Sequence, residues 1–226
     1  MAVVAVVSGG GSPGATTSAV ALAACWPAQV VVADCDPSGG GIAAGLCGRQ
    51  LLAGRLHVHA GLASGGVGSE LLDASDSPSV AGSAGRDVVV DCGPVGPFTP
   101  WLVLGTADLV LVAGGPGLPR VVPVCEAVAE LAGRIPARRL GLLACGTDPV
   151  DTARLIEASD VFPAVELPHD RVGAAMLWGQ ARWRWRRFEA TRLGRAAQRA
   201  ARRLHRRLHT TWPASGAQGS YPVGLA

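Results

Sequence analysis

One stretch of this 226-residue chain carries the residue types that hold a phosphate. It reads Ser8-Gly9-Gly10-Gly11-Ser12-Pro13-Gly14-Ala15-Thr16-Thr17 and follows an apolar run. Set against the pattern GxxxxGK[ST], Gly9, Gly14 and Thr16 fall on pattern positions, and Ala15 stands where the lysine belongs. Glycines let backbone N–H groups turn inward around phosphate oxygens, and a following helix adds its dipole and free N–H groups. A threonine hydroxyl is a hard ligand for magnesium, as are carboxylates. Such carboxylates end two further apolar runs, Asp34-Cys35-Asp36-Pro37 and Asp91-Cys92-Gly93-Pro94. At the carboxyl ends of buried strands they would face the crevice in which α/β sheets bind ligands. Taken alone, the glycine-rich run also fits a strand-to-helix turn with no ligand.

A second concentration of chemistry lies near the C-terminus. Residues 180–209 carry 11 arginines and one acid, Glu189, whereas the rest of the chain has an acidic excess. Leu193, Ala197, Ala200, Leu204 and Leu208 recur at helical spacing with arginine on the other faces, which predicts a basic amphipathic helix. Its target is open among an anionic membrane surface, nucleic-acid phosphates and an acidic partner protein. The plainest alternative packs the leucine stripe on the protein's own acidic body. Smaller features carry less. His57 and His59 share one face of a strand, as ordinary polar residues there do. His169-Asp170 lacks an accompanying nucleophile. The six cysteines are scattered with no CxxC pair, so no metal cluster is expected and a reducing compartment is.

The elements that must position these residues alternate. Strand-length apolar runs fall at 2–7, 30–33, 56–59, 87–91, 109–113, 140–144 and 164–167, and helical segments at 16–25, 118–132, 148–158 and 171–178. Thr147-Asp148-Pro149 makes a helix start. The segment 64–85 is rich in Gly, Ser and Ala, with a short helix expected around 69–73. Runs that are continuously apolar fit strands buried on both faces. The expected fold is a three-layer α/β/α domain with a mostly parallel sheet of about seven strands, followed by the basic helix. The boundaries follow: a domain over 1–179, the helix over 180–209 and a disordered tail over 210–226. With 49% hydrophobic and 16% charged residues, general disorder is excluded. No apolar run reaches the roughly 18 residues of a membrane span. The N-terminus reads as a strand rather than a leader, so a cytoplasmic location is expected. There is no lysine and no asparagine, as GC-rich bacterial coding would give.

In these motifs the chain resembles the ParA/MinD group of P-loop ATPases. Their loop typically reads SGKGGVGKTT, matched here at Ser8, Gly9, Gly11, Gly14, Thr16 and Thr17. Asp34 to Pro37 resembles their DxDP segment, and Val88 to Pro94 their Walker B strand. More loosely, Ala107 to Val112 resembles the next strand, and Leu167-Pro168-His169-Asp170 a late turn near the base. The resemblance covers roughly residues 1–179. It implies ATP or ADP with Mg²⁺ in a cradle of Gly9, Gly10, Gly11, Ser12, Gly14, Ala15, Thr16 and Thr17, with Pro168 and Asp170 beside the base. Thr16 would ligate magnesium, and Asp91 would hold it through water. Asp36, also near the metal, would orient the attacking water with Asp34 in support.

Two departures carry consequences. The family has one lysine in the cradle and a second that reaches the partner subunit's phosphates across a homodimer; Ala15 and Gly10 stand at those positions. The family's base-contacting asparagine is also missing, with Cys145 near its place. Losing one donor to the developing charge of phosphoryl transfer costs a factor of about 10²–10³, so hydrolysis is expected to be slow or absent. The resemblance implies a role in positioning or partitioning: chromosome or plasmid segregation, septum placement, or localisation of pilus or secretion machinery, the last as in the TadZ/CpaE-like branch. A slow ATPase switch that dimerises on ATP, and a nucleotide-free scaffold acting through its basic tail, stand as alternatives. The resemblance implies a location in the cytoplasm, at the inner face of the membrane or on the nucleoid, and the family's C-terminal amphipathic membrane helices favour the membrane among the tail's targets.

Overall fold

The computed structural model describes residues 1–10, 14–38, 42, 56–59, 85–161, 164–178 and 185–210. Strands β1 (Val3–Ser8), β2 (Val30–Asp34), β3 (Leu56–His59), β4 (Asp87–Pro94), β5 (Leu109–Gly114), β6 (Leu140–Cys145) and β7 (Ala164–Leu167) form one sheet. Their order is β3-β2-β4-β1-β5-β6-β7, and every pairing is parallel. The seven strands match the seven apolar runs. The segment 64–84 and the tail beyond residue 210 lie outside the described residues.

Seven helices accompany the sheet among the described residues: α1 (Ala15–Ala24), α2 (Trp101–Thr106), α3 (Val121–Ala132), α4 (Pro149–Ser159), α5 (Arg171–Leu177), α6 (Trp185–Glu189) and α7 (Arg192–Thr210). Alternate strand residues serve opposite faces. Val4, Val6, Val30 and Val32 join a core with α1, α6 and α7, whereas Ala5, Val7, Val31 and Val90 join one with α2, α3 and α4. This is the expected three-layer arrangement. Asp148 caps α4 by accepting from the Asp151 N–H at 2.7 Å, with Pro149 next, as its sequence foretold. The segment 118–132 begins as a 3₁₀ turn, Leu118–Arg120, before α3, because Pro119 and Pro123 cannot donate to a helical ladder.

The basic helix is docked. Eight of the ten residues of α1 are buried. A helix apolar all round must be covered on every side; the sheet covers one side of α1 and α7 another. Leu193, Ala197, Ala201 and Leu204 of α7 are buried in the same cluster as α1, and Ala200 and Leu208 pack against it. Of the readings of the leucine stripe, the protein's own body is the surface that it meets. Arg192, Arg195, Arg199, Arg202, Arg203 and Arg206 stay exposed on the outer faces.

Two details set the entry into α7. A Cβ on Gly194 would lie 2.0 Å from the Phe188 carbonyl oxygen, so α6 and α7 meet where only glycine fits. Asp170 caps α5: its Oδ1 accepts from the N–H groups of Val172 at 3.1 Å and Gly173 at 3.0 Å. Its Oδ2 accepts from the Leu193 N–H at 3.0 Å, so one carboxylate joins the starts of α5 and α7. Burial pushes the Asp170 carboxyl up, but the backbone donors of Gly173, Leu193, Val172 and Arg192 outweigh it and hold it below the ordinary value.

Gly194→Ala is expected to destabilise the chain by about 1–3 kcal/mol through overpacking, and Asp170→Ala by about 1–2 kcal/mol through loss of the cap, both read from urea unfolding. Because the folded-state pKa of Asp170 is depressed, its contribution is complete above the unfolded carboxylate pKa of about 4. It disappears as pH falls through the lower folded value. The difference between wild type and Asp170→Ala should therefore be constant from pH 5 to 8 and shrink below pH 4.

Candidate functional site

Parallel strands end on one side, so the segments after β1, β2, β4, β6 and β7 converge there. β1 lies between β4 and β5, where the direction of the connections reverses, and such a switch point opens a crevice. The glycine-rich segment leaves β1 at this point. Gly9 N–H bonds to the Ala113 carbonyl at 3.4 Å. Gly10 has a φ of 111° and is exposed. Gly11, Ser12 and Pro13 lie outside the described residues. Gly14 has φ 90° and ψ 22°, a left-handed conformation, and opens α1 with no side-chain cap. The first-turn N–H groups of α1 thus remain available to an anion.

Ala15 is buried, and its methyl group belongs to the apolar core. Thr16 and Thr17 follow on the first turn. Thr17 accepts a hydrogen bond from the Trp178 indole N–H at 3.0 Å, which leaves its own hydroxyl proton free to donate. The sequence offered no hint of that tryptophan's place beyond the helix end at which it falls.

The carboxylates meet opposite this turn. Asp34 is paired with Asp91 in the β2–β4 register. Asp34 is buried and structural on both oxygens: it accepts from the Ile42 N–H at 3.0 Å and the Asp36 N–H at 3.4 Å. Asp36 accepts from the Ser38 N–H at 2.8 Å and lies against Gly93. Asp91 is fully buried; one oxygen accepts from the Gly93 N–H at 3.3 Å, and the other, Oδ2, has no partner. Burial raises the Asp91 pKa; hydrogen bonds from Thr16 and Gly93 oppose this, and the nearby charges of Asp36 and Asp34 add to the rise. A buried oxygen without a donor, among three carboxylates and a threonine hydroxyl, fits a hard divalent cation such as magnesium. The donor set thus suits the metal that the motif implies, with Thr16 and Asp91 nearest to hand.

Beside the start of α1 lies a cavity of ≈ 420 Å³, bounded by Gly14, Thr17, Cys145, Pro168, Arg120 and Arg171 among others. Its size suits a small organic ligand. The helix start provides anion-binding N–H groups, Pro168 an apolar wall, and Arg120 and Arg171 exposed cations. Asp170 also lines it, but both of its oxygens are engaged by backbone donors, so it positions the turn rather than presenting a free carboxylate. His169 is exposed at the same turn. Arg120 and Arg171 escaped sequence reasoning because neither falls in a motif. Their one signal was position, each closely following a strand end on the site's side.

Asp91→Asn keeps an acceptor for Gly93 and removes a buried charge from between Asp34 and Asp36. It is expected to stabilise the metal-free chain by about 1 kcal/mol, read from thermal unfolding with chelator present. Millimolar magnesium should raise the melting temperature of the wild type and leave that of the variant unchanged.

No family model matches the chain, and no curated protein matches it in sequence. Solved structures do match. A ParA family ATPase from Chlorobium tepidum TLS is 14% identical with a TM-score of 0.65, over 88% of this chain and 98% of that one. MinD in the MinC:MinD cell division complex of Aquifex aeolicus is 15% identical with a TM-score of 0.68, over 91% and 96%. The septum site-determining protein MinD of Pyrococcus horikoshii OT3, complexed with Mg-ADP, is 14% identical with a TM-score of 0.64, over 90% and 95%. At these identities the likeness is one of fold. The chain has the ParA/MinD-like fold, a parallel sheet between helical layers with its glycine-rich loop leading from β1 into α1.

Proposed function

We propose that this chain is a nucleotide-binding protein of the positioning or partitioning type, which holds ATP or ADP with magnesium and hydrolyses it slowly or not at all. The observation that carries this is the partnerless buried Oδ2 of Asp91, set near the uncapped start of α1. In this reading the first-turn N–H groups of α1 hold phosphate oxygens, the Thr16 hydroxyl ligates the metal, and Asp91 holds it through water. Asp36 orients a water, and Asp34 fixes the turn that carries Asp36. Pro168 forms the wall beside the base, and Asp170 holds that wall in place. Magnesium would supply charge neutralisation on the phosphates.

Weak hydrolysis follows from charge. Ala15 is apolar and buried, and Gly10 has no side chain to extend. Phosphoryl transfer relies on fixed positive charge at the transferring group. Arg120 and Arg171 border the cavity and offer cations to a bound nucleotide, which supports binding more than transfer. Among the structural neighbours is the MinC:MinD cell division complex of Aquifex aeolicus. Neighbours of this kind support a positioning or partitioning role; septum placement, chromosome or plasmid segregation, and pilus positioning of the TadZ/CpaE type are the settings of this reading. A homodimer closing over the nucleotide belongs to the same reading, as does action in the cytoplasm, at the membrane's inner face or on the nucleoid. Among the described residues no helix is long and apolar enough to cross a membrane. A second reading, a scaffold acting through its tail, is favoured by the exposed arginine face of α7. With the leucine stripe turned inward, that face would recruit an anionic surface by charge.

Calorimetry with MgATP, on the native chain beside Ala15→Lys, is the test. Native binding is expected in the micromolar to millimolar range, with Ala15→Lys tighter by tenfold or more and turnover of either abolished by Asp36→Ala. Heat from neither protein would overturn the nucleotide reading. Heat from the lysine variant alone would mark a pseudo-ATPase whose cradle was kept and whose affinity was lost.

A further inference from the structure

At the opposite end of the sheet from the loop, three ligand-type side chains converge. Asp87 is the first residue of β4, and His205 and His209 stand one turn apart on α7. One oxygen or nitrogen from each lies within 4.8 Å of the others. His209 Nε2 is 3.0 Å from Asp87 Oδ2, and His205 Nε2 is 3.6 Å from the same oxygen. The absence of a CxxC pair, or of a histidine close to a cysteine, argues against a metal cluster in the sequence. The His205-x₃-His209 spacing, which puts two imidazoles on one helix face, was the signal available.

The carboxylate is held in place. Its Oδ1 accepts from the Ala2 N–H at 2.8 Å and its Oδ2 from the Trp26 indole N–H at 2.8 Å. The His205 ring stands edge-on to Trp26 with centroids 5.9 Å apart, and the two imidazoles are 4.3 Å apart. Asp87 is 4% exposed, whereas the histidines are 26% and 38% exposed, so the group opens toward solvent on one side only. Protons satisfy this arrangement incompletely. One imidazole reaches Oδ2 at hydrogen-bond distance, and the other, at 3.6 Å, does not. A divalent cation satisfies all three at once. With metal–ligand bonds of about 2.0–2.1 Å, adjacent ligand atoms of a tetrahedron lie about 3.3 Å apart, between the two separations seen here. The open side leaves room for water as a fourth ligand. Two imidazoles and one carboxylate are a borderline donor set, which suits zinc and its neighbours rather than magnesium or calcium. Trp26 and Ala2 would be the supporting partners that orient the carboxylate.

We propose that Asp87, His205 and His209 form a divalent transition-metal site of the zinc type, which staples α7 to the start of β4, the end of α1 and the N-terminal strand. It is independent of the nucleotide site and makes no use of magnesium.

The test uses the full chain, stripped with chelator and titrated with zinc in calorimetry and with cobalt(II) in visible spectroscopy. One equivalent of zinc should bind at micromolar affinity or tighter, and cobalt should give the intense bands of tetrahedral coordination, reversed by zinc. His205→Gln, at a half-buried position, and His209→Gln, at an exposed one, keep a helix-forming polar side chain; each should weaken zinc by tenfold or more, and the double variant should abolish the cobalt bands. Zinc should slow tryptic cleavage at the arginines of α7 in the wild type and not in the double variant. No cobalt bands, or equal zinc binding by wild type and the double variant, would overturn the site and leave a hydrogen-bonded cluster. Excess magnesium should compete with neither metal; competition would overturn the assignment to this donor set.

Discussion

The structure turns on a helix with no polar face. α1 is made of alanine, valine, leucine and small hydroxyl residues, and nearly all of it is buried. Burying apolar surface is the dominant favourable term in folding, and a helix of this composition cannot leave one side to water. The sheet takes one side; α7, approaching from far along the chain, takes another. The same helix begins at the glycine loop, so the element that demands cover is also the one that presents free N–H groups to the crevice. The cover of α1 and the crevice are joined through Asp170, which ties the turn beside the cavity to the first residues of α7.

The two ends of the sheet show opposite electrostatic solutions. At the start of β4, Asp87 is buried, and donors more than compensate it. Burial pushes its pKa up, but Trp26, His209 and Ala2 bring it below the ordinary value. Four residues later in the same strand, Asp91 is buried with too few donors and with like charges for neighbours, and its pKa rises. An uncompensated buried carboxylate is costly. Beside a threonine hydroxyl and an uncapped helix, a cation bound at Asp91 would offset that cost. The asymmetry lies in the donors: Trp26, Ala2 and His209 surround Asp87, whereas Asp91 has like charges for neighbours.

Much of this was legible in the residues, for identifiable reasons. Five of the seven strands could be read because strands buried on both faces spell continuous apolar runs, whereas the outer runs 56–59 and 164–167 are interrupted by His57, His59 and Glu166. The loop, the two aspartate turns and the Asp148-Pro149 helix start could be read because each rests on local backbone chemistry. α2 was missed: it has six residues, begins beside Pro100 and contains Gly105, so neither length nor propensity announced it. The docking of α7 was one of several readings because a helical pattern shows which face is apolar but not what covers it. The apolar character of α1 is the feature that calls for such a cover. Asp170 was given a place near the base, and its turn does line the cavity, but its work as a clamp depends on Leu193, 23 residues away. Arg120, Arg171 and Trp178 escaped because contacts between the ends of different elements leave no periodicity behind.

With its leucines inward, α7 presents Arg192, Arg195, Arg199, Arg202, Arg203 and Arg206 as a rigid comb of guanidinium groups, about 21 Å long at 1.5 Å per residue. A disordered basic tail must surrender its conformational freedom to whatever it binds. This helix has already surrendered it to α1. A polyanion meeting the comb would therefore be captured at little ordering cost to the protein, and the entropy driving the encounter would come from displaced counterions. Burying the apolar stripe thus turns a segment that could have folded into a membrane or a groove into a fixed electrostatic surface, spaced by the pitch of the helix rather than by the shape of its target.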